Sequence, residues 1–337
     1  MIFGCAGPML RPEERRFFKQ ADPLGFILFA NNCETPDQIR ALIGELRSCV
    51  GRADAPVLID QEGGRVARLK PPHWRAAPAA RPFGALAQRD MGRAQEAARL
   101  NARLIAAELN GLGINVDCAP VLDVPAPGAH DVIGDRAFST VPETVASLGR
   151  AFCAGLREGG VMPVLKHIPG HGRAVVDSHL ELPVVDAPLD ELKTIDFHPF
   201  RELAAEPFAM VAHVVYRAID AGAPATVSRT VIDDVIRGEI GFKGILISDD
   251  LSMEALEGNL GERTAAVLAA GCEAALHCGG KIEEMEEVAE ACGTLSDTAA
   301  MRLSKALAMA RAPEPIEFAA LSTQLDALLD LANASGA

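Results

Sequence analysis

Between Leu165 and His179 the chain reads L-K-H-I-P-G-H-G-R-A-V-V-D-S-H, which gathers Lys166, His167, His171, Asp177 and His179 within fifteen residues. These side chains can move protons, hold anions or bind metal. Pro169, Gly170 and Gly172 oppose a regular helix, so the run is predicted to be a loop after an apolar strand, Val161–Leu165. Asp177 and His179 are two residues apart, and in an extended segment both leave on one face, where a carboxylate can orient an imidazole. A second candidate is Ser248-Asp249-Asp250, which closes the apolar run I-L-I. Successive strand residues point opposite ways, so one aspartate faces a site and the other meets a helix or a backbone donor. Spacing alone does not choose between them, and both could simply cap the next helix. Asp60, before Gly63-Gly64, could shape a turn. Lys166 and Arg136 are either surface cations or strand-end groups that read hydroxyls or carboxylates.

His167, His171, His179 and Asp177, joined by His213 from the next strand, are zinc-ligand types. However, the chain has no H-x-H or H-E-x-x-H, and Pro169-Gly170 keep His167 and His171 off a common helix face. Neither a metal nor an organic cofactor is expected. A barrel that binds sugar or peptide without turnover is the non-enzymatic alternative; its weakness is the cost of burying a paired Asp–His and an inward Asp without use.

These groups need a scaffold, and eight short apolar segments supply one: Ile2–Cys5, Gly25–Phe29, Pro56–Ile59, Ile114–Cys118, Val161–Leu165, Phe208–Ala212, Gly244–Ile247 and Ala274–Cys278. Helical patterns lie between them, including one begun by Thr35-Pro36, an N-cap with proline at the first helical position. Others are expected at 89–112, 141–159, 190–205, 228–239, 262–270 and 281–292. Eight strands alternating with helices favour an α/β fold, a closed (β/α)8 TIM barrel of parallel strands, over an open sheet. No G-x-G-x-x-G follows the first strands, which counts against a dinucleotide fold. Chemistry in such barrels sits at the C-terminal strand ends, where Asp60, Glu62, Asp117, Asp123, Lys166, His167, His213, Asp249 and Asp250 fall. The long connections 69–89 and 120–140, with Trp74 and the Gly134-Asp135-Arg136 turn, lie on the same rim and suggest a cleft. One domain over residues 1–337 is expected, with a helical extension at about 297–332.

A net charge of −14 repels phosphate backbones and anionic membrane surfaces. Nucleic acid and membrane are therefore not expected partners. No signal-peptide pattern and no 18-residue apolar run is present, so a cytoplasmic location is expected. The eight cysteines are dispersed without a C-x-x-C pair and read as reduced thiols.

The motifs G-F-I-L-F-A-N, D-Q-E-G-G-R-V-A-R, I-G-D-R-A-F, K-H-I-P-G-H-G, D-S-H, A-H-V-V-Y and S-D-D-L-S-M run through nearly the whole chain. Together they resemble the bacterial β-N-acetylglucosaminidases of glycoside hydrolase family 3, the cytoplasmic peptidoglycan-recycling kind. The resemblance implies a single barrel, retention of configuration, and removal of terminal N-acetylglucosamine from anhydromuropeptides; a monomer is expected. It further implies Asp249 as nucleophile, His179 as acid/base with Asp177 orienting it, and Asp60, Arg68, Arg136, Lys166 and His167 as sugar-binding residues. Ile168 and Ala137 depart from the usual Phe and Ser. Retaining glycosidases usually employ two carboxyls about 5–5.5 Å apart. A histidine donor is chemically sufficient, because its ordinary pKa near 6.5 suits working pH and it becomes neutral on donating. A broader β-glycosidase of the same family is the alternative among enzymes.

Overall fold

The computed structural model describes residues 1–176 and 181–333. Eight strands form a closed parallel ring: β1 (Ile2–Phe3), β2 (Gly25–Leu28), β3 (Val57–Ile59), β4 (Val116–Asp117), β5 (Met162–Ile168), β6 (Phe208–Val211), β7 (Ile245–Asp250) and β8 (Ala274–His277). Each strand pairs with its neighbours in sequence, and β1 closes on β8 with Ile2 opposite Leu276. All eight begin within the apolar segments of the sequence, because a barrel strand is covered on both faces and needs continuous apolar residues, while β5 and β7 run on past them.

Side chains alternate between two cores. Ile2, Ile27, Leu58, Val116, Val164, Met210, Ile247 and Leu276, one from each strand, fill the barrel interior. Phe3, Phe26, Ile59, Leu165, Val211, Leu246 and Ala275 point outward to the helices. This phase governs the site. Two residues beyond Leu58, Val164 and Ile247, the interior face carries Asp60, Lys166 and Asp249 to the C-terminal mouth.

The helix Pro36–Val50 starts where Thr35-Pro36 places it, with Thr35 Oγ1 accepting from the Gln38 amide at 3.3 Å. Two expectations need correction. The strand before the histidine-rich run does not stop at Leu165 but extends to Ile168, so Lys166 and His167 are strand residues. The helix expected over 190–205 is broken into Leu189–Glu191, a wider-wound turn Leu192–Asp196 and His198–Glu202, since Pro199 has no N–H to continue the ladder. The 69–89 connection contains a short helix, Arg81–Ala87. Beyond the last barrel helix, Asp297–Leu307 lies under the ring, and its Leu303, Ala306 and Leu307 pack into the interior core from the N-terminal end. The helix Phe318–Asn333 packs on Met91–Asn110.

Candidate active site

A cavity of about 490 Å3 opens at the C-terminal mouth, within the range of small-ligand pockets. Asp60, Arg68, Arg136, Lys166, His167 and Asp249 all line it. Asp177 and His179 lie outside the described residues.

Asp60 follows β3, and the chain then turns back on itself: Gln61–Gly63 pairs antiparallel with Val66–Ala67. Gly63 (φ +98°) and Gly64 (φ +56°) make that turn, and a Cβ on Gly63 would lie 2.1 Å from the Pro78 carbonyl oxygen, so glycine is required there. Buried Gln61 staples the ribbon: its Oε1 accepts from the amides of Arg68 and Leu69, and its Nε2 donates to the Leu69 carbonyl. Arg68 is thereby returned to Asp60.

Five charged side chains alternate in sign along one wall. Arg68 Nη2 donates to Asp60 Oδ2 at 2.9 Å, and Lys166 Nζ reaches Asp60 Oδ1 at 2.7 Å and Glu62 Oε1 at 2.6 Å. Arg136 then grips Glu62 in a fork, Nε to Oε2 and Nη2 to Oε1, each at 2.8 Å. Burial alone would raise the Asp60 pKa, but Lys166 and Arg68 hold it well below the usual carboxylate range. Burial would lower that of Lys166, but Asp60 and Glu62 hold it above the usual ammonium value. The turn-shaping and surface-cation alternatives for Asp60, Lys166 and Arg136 therefore do not describe these residues: the Lys166 side chain is 3 % exposed and that of Arg136 12 %.

Asp249 stands across the mouth, since β7 is four strands from β3 in a ring of eight. Both aspartates border the cavity, contrary to strict alternation, because the pairing of β7 with β8 shifts register between Ile247 and Asp250. Their engagements differ. Asp250 is tied down, taking the Ser252 hydroxyl at 2.5 Å and the amides of Ser252 and Cys278. Asp249, in the interior phase, accepts from the Asp250 amide at 2.8 Å. His213, considered above as a possible metal ligand, is buried away from the cavity: its Nε2 meets the Asp250 carbonyl at 3.1 Å and its Nδ1 the Thr226 hydroxyl at 2.6 Å. Burial lowers its pKa, and the Thr226 hydroxyl it meets donates in turn to the Ala212 carbonyl at 2.7 Å.

His167 and His171 both reach the cavity. One carboxylate serves them: Asp123 accepts from the His167 and His171 amides through Oδ1 and meets His167 Nδ1 through Oδ2. Burial, with His167 adding to it, brings the His171 ring down to about 4, so it is neutral near pH 7. Beside β3, Asp117 is pushed up to about 7 by burial; its Oδ1 takes the Gln61 amide, and its Oδ2 has no hydrogen-bond partner among the described residues.

Glu62 and Asp123 were counted at the rim by sequence but not as site residues. Glu62 carried a usable signal, being two past Asp60 and so on the same face if the chain stays extended. Asp123 carried none, because it reaches His167 only through a segment that runs on past β4, bonded to β5 by Leu122 N to Lys166 O.

Residues 9–308 match the Glycosyl hydrolase family 3 N terminal domain. The chain is 41 % identical over 282 residues to the beta-hexosaminidase of Alkalilimnicola ehrlichii, covering 82 % of this chain and 80 % of that one. It is 40 % identical to that of Methylococcus capsulatus, over 82 % of each chain. Among solved structures it superposes on NagZ from Neisseria gonorrhoeae in complex with N-trifluoroacetyl-D-glucosamine, with TM-score 0.87 and 32 % identity over 98 % of this chain and 97 % of that one.

Proposed function

Since the chain belongs to glycosyl hydrolase family 3 and is a glycoside hydrolase, we propose that it is an exo-acting, retaining β-N-acetylglucosaminidase. Its substrate would be terminal β-linked N-acetylglucosamine on peptidoglycan fragments, in cytoplasmic cell-wall recycling. The observation that carries this reading is the two-sided mouth: the Asp249 carboxylate at the cavity, opposite a wall in which Asp60, Arg68, Lys166 and Arg136 offer charged donors and acceptors to neutral hydroxyls. The names borne by its relatives, and the glucosamine derivative held by the gonococcal protein, support the choice of sugar. No helix among the described residues is long and apolar enough to cross a membrane.

In this reading an Asp249 oxygen attacks the anomeric carbon while the glycosidic C–O bond breaks, and the leaving oxygen takes a proton from the His179 imidazolium. The imidazole, oriented by Asp177, then removes a proton from water, whose oxygen displaces Asp249 and restores the starting configuration. His167 joins Asp60, Arg68, Arg136 and Lys166 in holding the sugar. No cofactor takes part. The test is hydrolysis of a panel of p-nitrophenyl β-glycosides, with and without a chelator. Preference for the N-acetylglucosaminide, unchanged by chelation, is expected. Equal turnover of the glucoside would favour the broader glycosidase, and binding without release would sink the enzymatic reading.

A further inference from the structure

Buried carboxylates in this protein fall into two kinds. Glu14 spends its oxygens on the Ala6 and Arg11 amides, and Glu273 takes the Leu246 amide, so each holds backbone in place. Glu62 does neither. Among the described residues, its contacts run only to Lys166 and Arg136, two side chains of the cavity wall, and its own side chain is 6 % exposed. Taking a carboxylate out of water for partners that are themselves buried carries a desolvation penalty that can exceed the attraction, so the pairing is weak evidence for stability. The arrangement makes sense when the partners must be held for something else.

We propose that Glu62 is a positioning residue, which fixes the Lys166 ammonium and the Arg136 guanidinium in the one orientation that receives the distal hydroxyls of the sugar. Lys166 has three N–H donors; Asp60 and Glu62 take two and fix the direction of the third. Arg136 has its Nε and Nη2 fastened by Glu62 and its Nη1 by the Val132 carbonyl, so the guanidinium plane is set. Without the Glu62 charge, Arg68, Lys166 and Arg136 would face Asp60 alone, and Lys166 and Arg136 would repel one another across the gap. Glu62 follows β3, opposite β7 in the ring, so its contacts fall on the side of the mouth across from Asp249. Glu62 therefore acts alike on bound substrate and transition state, which places its effect in KM and leaves kcat nearly unchanged.

The inference rests on the functional reading above, and the experiment separates the two. Wild type, Glu62→Gln and Glu62→Ala are compared by hydrolysis of p-nitrophenyl N-acetyl-β-D-glucosaminide, calorimetric binding of N-acetylglucosamine, thermal melting and crystallography. For folded Glu62→Gln, KM and the N-acetylglucosamine Kd should rise roughly tenfold or more, as expected for loss of one charge-assisted bond, with kcat within about threefold. Glu62→Ala should move further in the same direction, and Arg136 should leave its place in the Glu62→Gln crystal. Wild-type KM and Kd in a folded variant, or a fall in kcat at constant KM, overturns the assignment. Failure of both variants to fold also overturns it and makes Glu62 structural. If the wild type neither cleaves the glycoside nor binds the sugar, the functional reading fails; Glu62 is then judged from the Glu62→Gln crystal, where unmoved Lys166 and Arg136 overturn the assignment.

Discussion

Asp123 Oδ2 lies 2.7 Å from His167 Nδ1, a contact between side chains 0 % and 9 % exposed. The ionised carboxylate accepts a hydrogen bond from Nδ1–H, which leaves Nε2 as the nitrogen a ligand can meet and sets the plane of the ring. Asp123 is drawn down to about 2, since His167 and His171 outweigh the burial that would raise it.

Asp123→Asn should lower kcat/KM by roughly ten- to a hundredfold through a misoriented His167, taking a charge-assisted bond at its usual strength. The variant should also lose an acid-sensitive part of its stability. A carboxyl whose folded pKa is depressed stabilises the protein above its ordinary value of 3.8, and that contribution disappears as pH falls towards about 2. Urea midpoints of the wild type should therefore drop more steeply than those of Asp123→Asn below about pH 4. Parallel curves would remove Asp123 from this role.

Asp117 should behave oppositely. Its folded pKa is raised to about 7, so its contribution is complete below the unfolded value and is lost as pH rises through about 7. Asp117→Asn mimics the protonated side chain. From about pH 4 to pH 7 the melting temperature of the wild type should fall as this contribution is progressively lost, whereas that of Asp117→Asn should decline less over that range and run parallel to the wild type above about pH 7. An Asp117→Asn protein that declines in step with the wild type below that pH would show that Asp117 is already ionised at neutral pH.

Asp249 should be the residue that a slow-reacting 2-fluoro sugar labels, and Asp249→Asn should lose at least about a thousandfold in kcat. Peptide mapping reads the first result directly. An adduct on Asp250, or none while an oxazoline-type inhibitor binds tightly, would assign the attack to another carboxylate or to the substrate's own acetamido group.

For His179, the leaving group is the discriminating variable. His179→Ala should slow release of a sugar-like leaving group by about 10²–10⁴-fold, yet spare nitrophenolate release, which needs little protonation. With the activated substrate, hydrolysis of the intermediate then becomes limiting and a burst is expected. Equal slowing of both substrates without a burst would make His179 structural.

The barrel was legible because each strand is apolar on both faces, and Thr35-Pro36 marked a helix start to the residue. The site was legible only in part. Asp60, Lys166 and Asp249 share one phase with Leu58, Val164 and Ile247, but which phase points inward is set by closure of the ring, a property of eight strands together. Asp249 could therefore not be separated from Asp250 by spacing. The face of Glu62 was legible, since the ribbon after β3 keeps the alternation, but its two cation partners from other elements were not, and Asp123 was hidden because its partner lies across two strand ends.

The seam between β1 and β8 also bears on how the chain is made. Ile2 and Phe3 lie against Leu276 and His277, and Gly4 N donates to the His277 carbonyl. During vectorial synthesis the first strand therefore emerges with one future neighbour more than two hundred and seventy residues away, and until that neighbour arrives β2 alone can satisfy its edge. The interior core stays open from below until Asp297–Leu307 follows. Contacts of such long separation form late. The nascent barrel is thus a curled open sheet with an unpaired first edge, the state in which chaperone capture or edge-to-edge association would compete with closure.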